Sequence, residues 1–131
     1  MLYLLDTNHA SGLFRKLPEL QARMRSATGD TFLLCQPSIG ELWFMVFNSS
    51  RIQENERDLL RFLGTFDHHE YDAGAANEFG RIKCELRRIG RPIPDVDVQI
   101  AAVARAHGLT LLTADAHFAF VEGLTIESWL P

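Results

Sequence analysis

The sequence predicts a three-layer α/β/α domain around a central, mainly parallel sheet of four or five strands. Short apolar runs of strand length end at polar turn formers, segments with helical periodicity separate these runs, and the two kinds of segment alternate along the chain. With 131 residues, of which 47% are apolar, the chain can bury one core but not two. We therefore expect residues 1–131 to form a single domain.

The first half of the chain is predicted to contain two buried strands and three helices. Ser38 opens the second of these helices, with Glu41 at the spacing of a capping box. Residues 7–17 are interpreted as a connecting segment. The predicted elements are strand Leu2–Leu5, a helix that starts at Pro18, strand Thr31–Cys35, a helix over 38–48 and a helix over 55–66.

The second half is predicted to continue the alternation. Its longest helix carries apolar residues at alternating steps of four and three and ends at Gly90. Asp95 is expected to cap the next helix, and Gly108 ends it. The predicted elements are a weak strand at 68–71, a helix over 75–89, a helix over Asp95–His107, a strand at 109–113 and a short strand at 124–126.

Four carboxylates are predicted to meet at one edge of this sheet. In right-handed crossovers, the carboxyl ends of the strands and the starts of the following helices share one edge, where open α/β folds bind ligands. Asp72 and Asp95 also reach that edge, but Asp72 would follow an outer strand and Asp95 is explained by its cap. The acids that remain are Asp6, Glu41, Asp97 and Asp115.

Such a cluster of like charges predicts a metal site. Crowded carboxylates raise their own pKa values and destabilise the fold unless a cation neutralises them. Ligation by oxygen alone suits Mg²⁺ or Mn²⁺ better than zinc. The two cysteines, Cys35 and Cys84, are too few and too far apart for a disulfide framework and are expected to be buried thiols in a reducing compartment.

Four short segments resemble, in order and spacing, the signature segments of PIN-domain ribonucleases. They are Leu-Leu-Asp-Thr-Asn at 4–8, Ser-Ile-Gly-Glu-Leu at 38–42, Asp-Val-Gln-Ile-Ala-Ala at 97–102 and Leu-Thr-Ala-Asp at 112–115. The resemblance spans nearly the whole chain, and bacterial PIN proteins of this size resemble VapC-type toxins of toxin–antitoxin pairs. It implies a Mg²⁺-dependent endoribonuclease that uses a metal-activated water and leaves a 5′-phosphate and a 3′-hydroxyl. It also implies a small antitoxin partner and a homodimer.

The same resemblance implies the members of the site. It assigns catalysis and metal binding to Asp6, Glu41, Asp97 and Asp115. It assigns neighbouring polar roles to Thr7, Asn8 and Thr113. His117 stands where some members of the family carry a further acid.

A basic helix is the predicted contact for RNA phosphates. An acidic site does not attract RNA unaided, and basic residues outnumber acidic ones on and just after the helix at 75–89. A solvated helix face is the alternative interpretation of the same charges. The candidate residues are Arg81, Lys83, Arg87, Arg88 and Arg91.

The sequence indicates a cytosolic protein with no membrane segment. Its longest apolar run, residues 42–47, is far shorter than the roughly 18 residues of a membrane span, and no basic leader is present. Trp43, Phe44 and Phe47 in this run are interpreted as core. Because the run is apolar on nearly all sides of a helix, part of it is expected to contact a second subunit or an antitoxin.

Two other functions remain open on the residues alone. A receiver-like phosphoacceptor domain also places an Asp after its first strand, but the two lysines, Lys16 and Lys83, do not supply the late Lys of such a switch. A catalytically silent binding module on a PIN-like scaffold is the second alternative. A dinucleotide-binding enzyme is disfavoured, because no Gly-x-Gly-x-x-Gly follows the first strand.

Overall fold

The computed structural model describes residues 1–130, in which five parallel strands form one sheet. The strands are β1 (Leu2–Leu5), β2 (Thr31–Cys35), β3 (Asp67–His69), β4 (Thr110–Leu112) and β5 (Ile126–Glu127). Their order is β3-β2-β1-β4-β5, and every neighbouring pair is parallel. The predicted sheet is therefore confirmed, with five strands.

Helices cover both faces of the sheet and complete the predicted three layers. The α-helices are α1 (Thr7–Phe14), α2 (Pro18–Ser26), α3 (Gln36–Phe47), α4 (Ile52–Leu63), α5 (Ala73–Arg88) and α6 (Asp95–His107). A 3₁₀ helix, Ala116–Phe120, follows β4. Within residues 1–130, no helix combines the length and the apolar character needed to span a bilayer.

Two apolar cores lie on opposite faces of the sheet. Successive side chains of a strand point to opposite faces, so Leu4 packs with α5 and α6 while Tyr3 and Leu5 pack with α1 to α4. Leu4 and Leu5 are completely buried. The central strand is apolar without alternation because both of its faces are covered.

The predicted connecting segment at 7–17 is wrong, because a helix occupies most of it. Asp6 caps α1, and its Oδ1 accepts a hydrogen bond from the backbone N–H of His9 at 2.8 Å. A side-chain acceptor at this position satisfies a backbone donor that the first helical turn leaves free. Asp6 therefore ends β1 and begins α1 without an intervening loop.

The predicted capping box in α3 is also wrong. The helix begins at Gln36, directly after β2, and no side chain caps it. Ser38 is buried inside the first turn, where its hydroxyl lies 3.5 Å from the backbone oxygen of Leu5. Glu41 consequently lies in the second turn and has no capping role that would explain it.

Asp95 does not cap α6 as predicted, whereas Asp72 follows the outer strand β3 and lies outside the site as predicted. Pro94 occupies the cap position of α6, so Asp95 is the first helical residue and pairs with Lys83 at 3.0 Å. Asp72 caps α5 and pairs with His107 at 2.9 Å, at the far end of α6. His107 lies ten positions after Asp97, about 15 Å along the helix axis, so Asp72 lies away from the predicted site.

Several predicted core residues are exposed. Phe44 and Phe47 on α3 are 69% and 58% exposed, so their assignment to the core is wrong, whereas Trp43 is partly buried and stacks on Phe47. Cys84 is also exposed, and Cys35 alone matches the predicted buried thiol. Burial raises the pKa of the Cys35 thiol, which favours its neutral form.

Candidate active site

Asp6 lies at the point where the strand order reverses. Strands β1 and β4 are neighbours at the centre of the sheet, although β2 and β3 lie between them in the sequence. The backbone N–H of Asp6 donates to the backbone oxygen of Leu112 in β4 at 3.1 Å, and Asp6 itself is only 4% exposed. Open α/β sheets bind ligands beyond the carboxyl ends of the strands at this point.

Asp97 and Asp115 approach each other across His117. Asp97 lies in the first turn of α6, and Asp115 caps the 3₁₀ helix that follows β4. The Nε2 atom of His117 lies 3.1 Å from Oδ2 of Asp97, and its Nδ1 atom lies 3.2 Å from Oδ1 of Asp115. One ligand atom from each of the three residues falls within 4.8 Å of the others, so together they could hold a metal ion.

Glu41 reaches the site from α3 and is held there by Thr7. The Thr7 hydroxyl, in the first turn of α1, donates a short hydrogen bond to Oε1 of Glu41. This contact joins the segment after β1 to the segment after β2. The two remaining polar candidates differ: buried Thr113 accepts from the backbone N–H of Asp115 at 3.0 Å, whereas Asn8 is exposed.

The electrostatics of Asp97 show that the four acids share one environment. Burial raises the pKa of Asp97 above its ordinary value of 3.8, and the His117 imidazole opposes this shift. The charges of Glu41, Asp115 and Asp6 each raise this pKa further. The predicted effect of crowded carboxylates on pKa is therefore present at Asp97.

The carboxylates of the site and one buried nitrogen without a hydrogen-bond partner are suited to binding a divalent cation. Nε2 of His117 is buried and makes no hydrogen bond of acceptable geometry with any other described residue, despite its closeness to Asp97. Buried polar atoms normally have partners, and exceptions often mark a missing ion or water. Carboxylate oxygens are the ligands that Mg²⁺ and Mn²⁺ prefer.

The basic end of α5 lies beside this site. The Lys83–Asp95 pair fixes the last turns of α5 next to the start of α6, two residues from Asp97. The guanidinium of Arg91 lies 4.6 Å from the centre of the Phe120 ring, in the 3₁₀ helix that carries His117. The predicted phosphate contacts, all exposed, are Arg81, Lys83, Arg87, Arg88 and Arg91.

Sequence reasoning did not foresee two contacts of the site. His9 is completely buried, and its Nδ1 atom lies 3.0 Å from Oδ1 of Asp6. The Nε2 atom of the same ring accepts a hydrogen bond from the backbone N–H of Trp129 at 3.1 Å. The three-residue spacing after Asp6 was an available signal for His9, because a helical cap faces the third residue that follows it. No local signal indicates Trp129, which is 120 residues away.

The fold and the site together define a class of protein. The PIN domain family matches the chain over residues 3–124, and the chain therefore belongs to the PIN domain family, whose members are nucleases.

The relatives of this chain include VapC proteins, and the similarity extends over nearly the full length of both sequences. The tRNA(fMet)-specific endonuclease VapC of Shigella flexneri is 33% identical over 132 aligned positions, covering 97% of each chain. Ribonuclease VapC2 of Haemophilus influenzae is 32% identical and covers 98% of each. Among solved structures, VapBC2 from Rickettsia felis bound to a promoter DNA fragment superposes with a TM-score of 0.91 at 26% identity, covering 99% of this chain and 100% of that one. DNA-bound VapBC from Salmonella typhimurium superposes with a TM-score of 0.91 at 28% sequence identity, again covering 99% of this chain and 100% of that one.

Proposed function

We propose that this chain is a divalent-metal-dependent endoribonuclease and the toxin of a toxin–antitoxin pair, and that residues 1–131 form a single PIN-like domain. The observation that carries the proposal is the convergence of acids from four separate segments at the β1–β4 switch point, with the pKa of Asp97 raised by burial and by the other three. The ribonuclease names of the VapC relatives support the same activity.

The four acids are proposed to bind Mg²⁺ or Mn²⁺. When bound, such an ion lowers the pKa of a water molecule and stabilises charge on the scissile phosphate. The protein's own residues prepare the site: Thr7 orients Glu41 through its hydroxyl, and Thr113 fixes the backbone of Asp115. Hydrolysis leaves a 5′-phosphate and a 3′-hydroxyl. The proposed ligands are Asp6, Glu41, Asp97 and Asp115.

RNA is proposed to approach over the end of α5. The exposed basic residues at and after this helix lie beside Asp97 and the 3₁₀ helix, so they can contact phosphates flanking the scissile bond. Lys83 is partly neutralised by Asp95, whereas Arg87 and Arg88 form no ion pair within residues 1–130. We expect the arginines to contribute more than the lysine, because a guanidinium can bind phosphate through two hydrogen bonds.

Purified protein should cleave RNA in the presence of Mg²⁺ or Mn²⁺. Initiator tRNA is the first substrate to test, because two of the VapC relatives are named for it. Chelation with EDTA should abolish cleavage, and added Mg²⁺ should restore it, with 5′-phosphate ends on the products. Cleavage that persists in EDTA would contradict the metal-dependent mechanism, and no cleavage of any RNA would favour the silent binding module.

The receiver-like alternative has no support in the structure. Lys83 is held by Asp95, and Lys16 lies in the turn after α1, so neither is placed as the late Lys of a phosphoacceptor switch. Membership of the PIN domain family accounts for the same acidic pocket.

An antitoxin and a second copy of the chain are the proposed protein partners. The antitoxin is supported by the VapBC complexes among the structural neighbours. The homodimer is proposed to use the exposed apolar face of α3, since contiguous exposed aromatic side chains favour association.

Replacing both Phe44 and Phe47 by Glu should convert a dimer into a monomer. Two charges in an apolar interface would remain desolvated and unpaired, which strongly disfavours association. Light scattering at micromolar concentration measures the mass, and unchanged circular dichroism shows that the fold is kept. A wild-type monomer, or a dimer that survives both substitutions, would contradict this use of the α3 face.

A further inference from the structure

His9 occupies an unusual position between the candidate active site and the segment that follows β5. Its ring is completely buried. One nitrogen, Nδ1, lies 3.0 Å from Oδ1 of Asp6, and the backbone N–H of His9 donates to the same oxygen at 2.8 Å. The other ring nitrogen, Nε2, lies 3.1 Å from the backbone nitrogen of Trp129.

These contacts fix which nitrogen of the ring carries the proton. A backbone N–H can only donate, so Nε2 must offer its lone pair to Trp129. The ring proton is then on Nδ1, which donates it to the Asp6 carboxylate. The contact with Trp129 thus selects the tautomer that can hold Asp6, as outer hydrogen bonds do for histidines in metal sites.

Several contacts hold Trp129 in the position from which its backbone N–H donates to His9. Its indole N–H donates to Glu127 in β5 at 2.9 Å. Its ring packs edge-on against Tyr3 and Phe32, at 5.3 Å between ring centres in each case. The guanidinium of Arg23 covers the ring at 4.7 Å. The backbone at Trp129 is therefore fixed relative to β1, from which Asp6 follows.

We propose that His9 is a positioning residue for the nuclease reaction, and that residues 128–130 keep its ring in the required orientation. Two hydrogen bonds from His9 occupy Oδ1 of Asp6, while Oδ2 makes no hydrogen bond to any other described residue and stays free for a cation. His9 thereby orients the Asp6 carboxylate, although its own buried ring is not a proposed metal ligand. The inference rests on the proposed role of Asp6 as a metal ligand.

Two substitutions of His9 test its contacts with Asp6 and with Trp129 one at a time. His9→Asn places an amide N–H near the position of Nδ1, so it can keep the donor to Asp6 while losing the acceptor for Trp129. His9→Gln does the reverse, because its longer side chain carries the amide to the position of Nε2. If His9 only fills space, the two variants should bind metal alike.

Mn²⁺ titration of the full chain, followed by electron paramagnetic resonance, tests the proposal. We expect His9→Gln to bind Mn²⁺ about 10- to 100-fold more weakly than wild type, and His9→Asn to stay within about threefold. Thermal unfolding without metal shows whether each variant is folded. In wild-type protein labelled with ¹⁵N, the His9 ring should show a protonated Nδ1 and an unprotonated Nε2.

The outcomes distinguish this inference from the proposed function. Absence of Mn²⁺ binding in wild type would overturn both. Binding in wild type with equal affinity in His9→Gln, or with equal losses in the two variants, would overturn the role of His9 alone. A ring protonated on Nε2 would also overturn it, even if neither variant folds.

Discussion

Replacement of Asp97 by Asn is expected to lower kcat/KM for RNA cleavage by about 10²- to 10⁴-fold. A bound metal ion contributes several kcal/mol to stabilisation of the transition state, and each 1.36 kcal/mol corresponds to a tenfold change in rate. Asn keeps the shape of the side chain but provides neither the charge nor a second anionic oxygen. Single-turnover cleavage of end-labelled RNA at saturating Mg²⁺ measures the effect.

Asp95→Asn is the matched control for this substitution. It removes the same charge from the same helical turn, but Asp95 is exposed and pairs with Lys83 rather than with the site. We expect its kcat/KM to stay within about threefold of wild type, because exposed ion pairs contribute little. Equal losses in both variants, or full activity in Asp97→Asn, would show that Asp97 has no special role.

Reversing three charges on the basic face should weaken RNA binding by at least about tenfold and flatten its salt dependence. The variant carries Glu in place of Arg81, Arg87 and Arg88, within an Asp97→Asn background that prevents cleavage. Each phosphate contact on single-stranded nucleic acid contributes about 0.7 to the slope of log affinity against log salt, so the slope should fall by about 2. Fluorescence anisotropy over a salt series measures both quantities.

An equal change of net charge on α4 controls for nonspecific repulsion. Arg51, Arg57 and Arg61 are exposed on the opposite face of the sheet, and replacing all three by Glu alters the total charge by the same amount. RNA affinity should fall much less in that variant. If both variants lose affinity equally, the charges on α5 act only through net charge, and the proposed path for RNA is wrong.

The sequence was sufficient to predict the layers of the fold and the edge that carries the site. The apolar runs Leu2–Leu5 and Thr31–Cys35 are strands with the bounds predicted, because both are short, buried and flanked by polar turn formers. Helix α1 was missed since its apolar residues are few and Asp6-Thr7-Asn8 also suits a turn. The edge strands were displaced by one or two residues because β3 and β5 contain only three and two residues.

Local patterns predicted less about side-chain roles within the site. The Ser38–Glu41 spacing matches a capping box, yet β2 runs directly into α3 and leaves no residue to serve as that cap. His117 between Asp97 and Asp115, and His9 between Asp6 and Trp129, depend on contacts between distant segments. Spacing along the chain indicates the contact of His9 with Asp6, but no spacing rule indicates its contact with Trp129 or the position of His117 between two acids.

Thermal unfolding across a Mn²⁺ series, for wild type, Asp6→Asn and Asp97→Asn, tests the central claim most directly, because it requires no substrate. Burial and neighbouring acids raise the pKa of Asp97, so its charged form destabilises the metal-free fold at neutral pH. We expect Asp97→Asn to unfold at a higher temperature than wild type without metal, with the difference shrinking as the pH falls towards 3.8.

With metal, the unfolding temperature of wild type should rise more than that of either variant. At about ten times the dissociation constant, Mn²⁺ should stabilise wild type by about 1.4 kcal/mol, whereas both Asn variants should respond little at that concentration. A wild-type protein that does not respond to millimolar Mn²⁺, together with Asn variants that match its stability, would show that Asp6 serves only as a helix cap and Asp97 only as a first-turn residue. That result would contradict the metal-dependent nuclease.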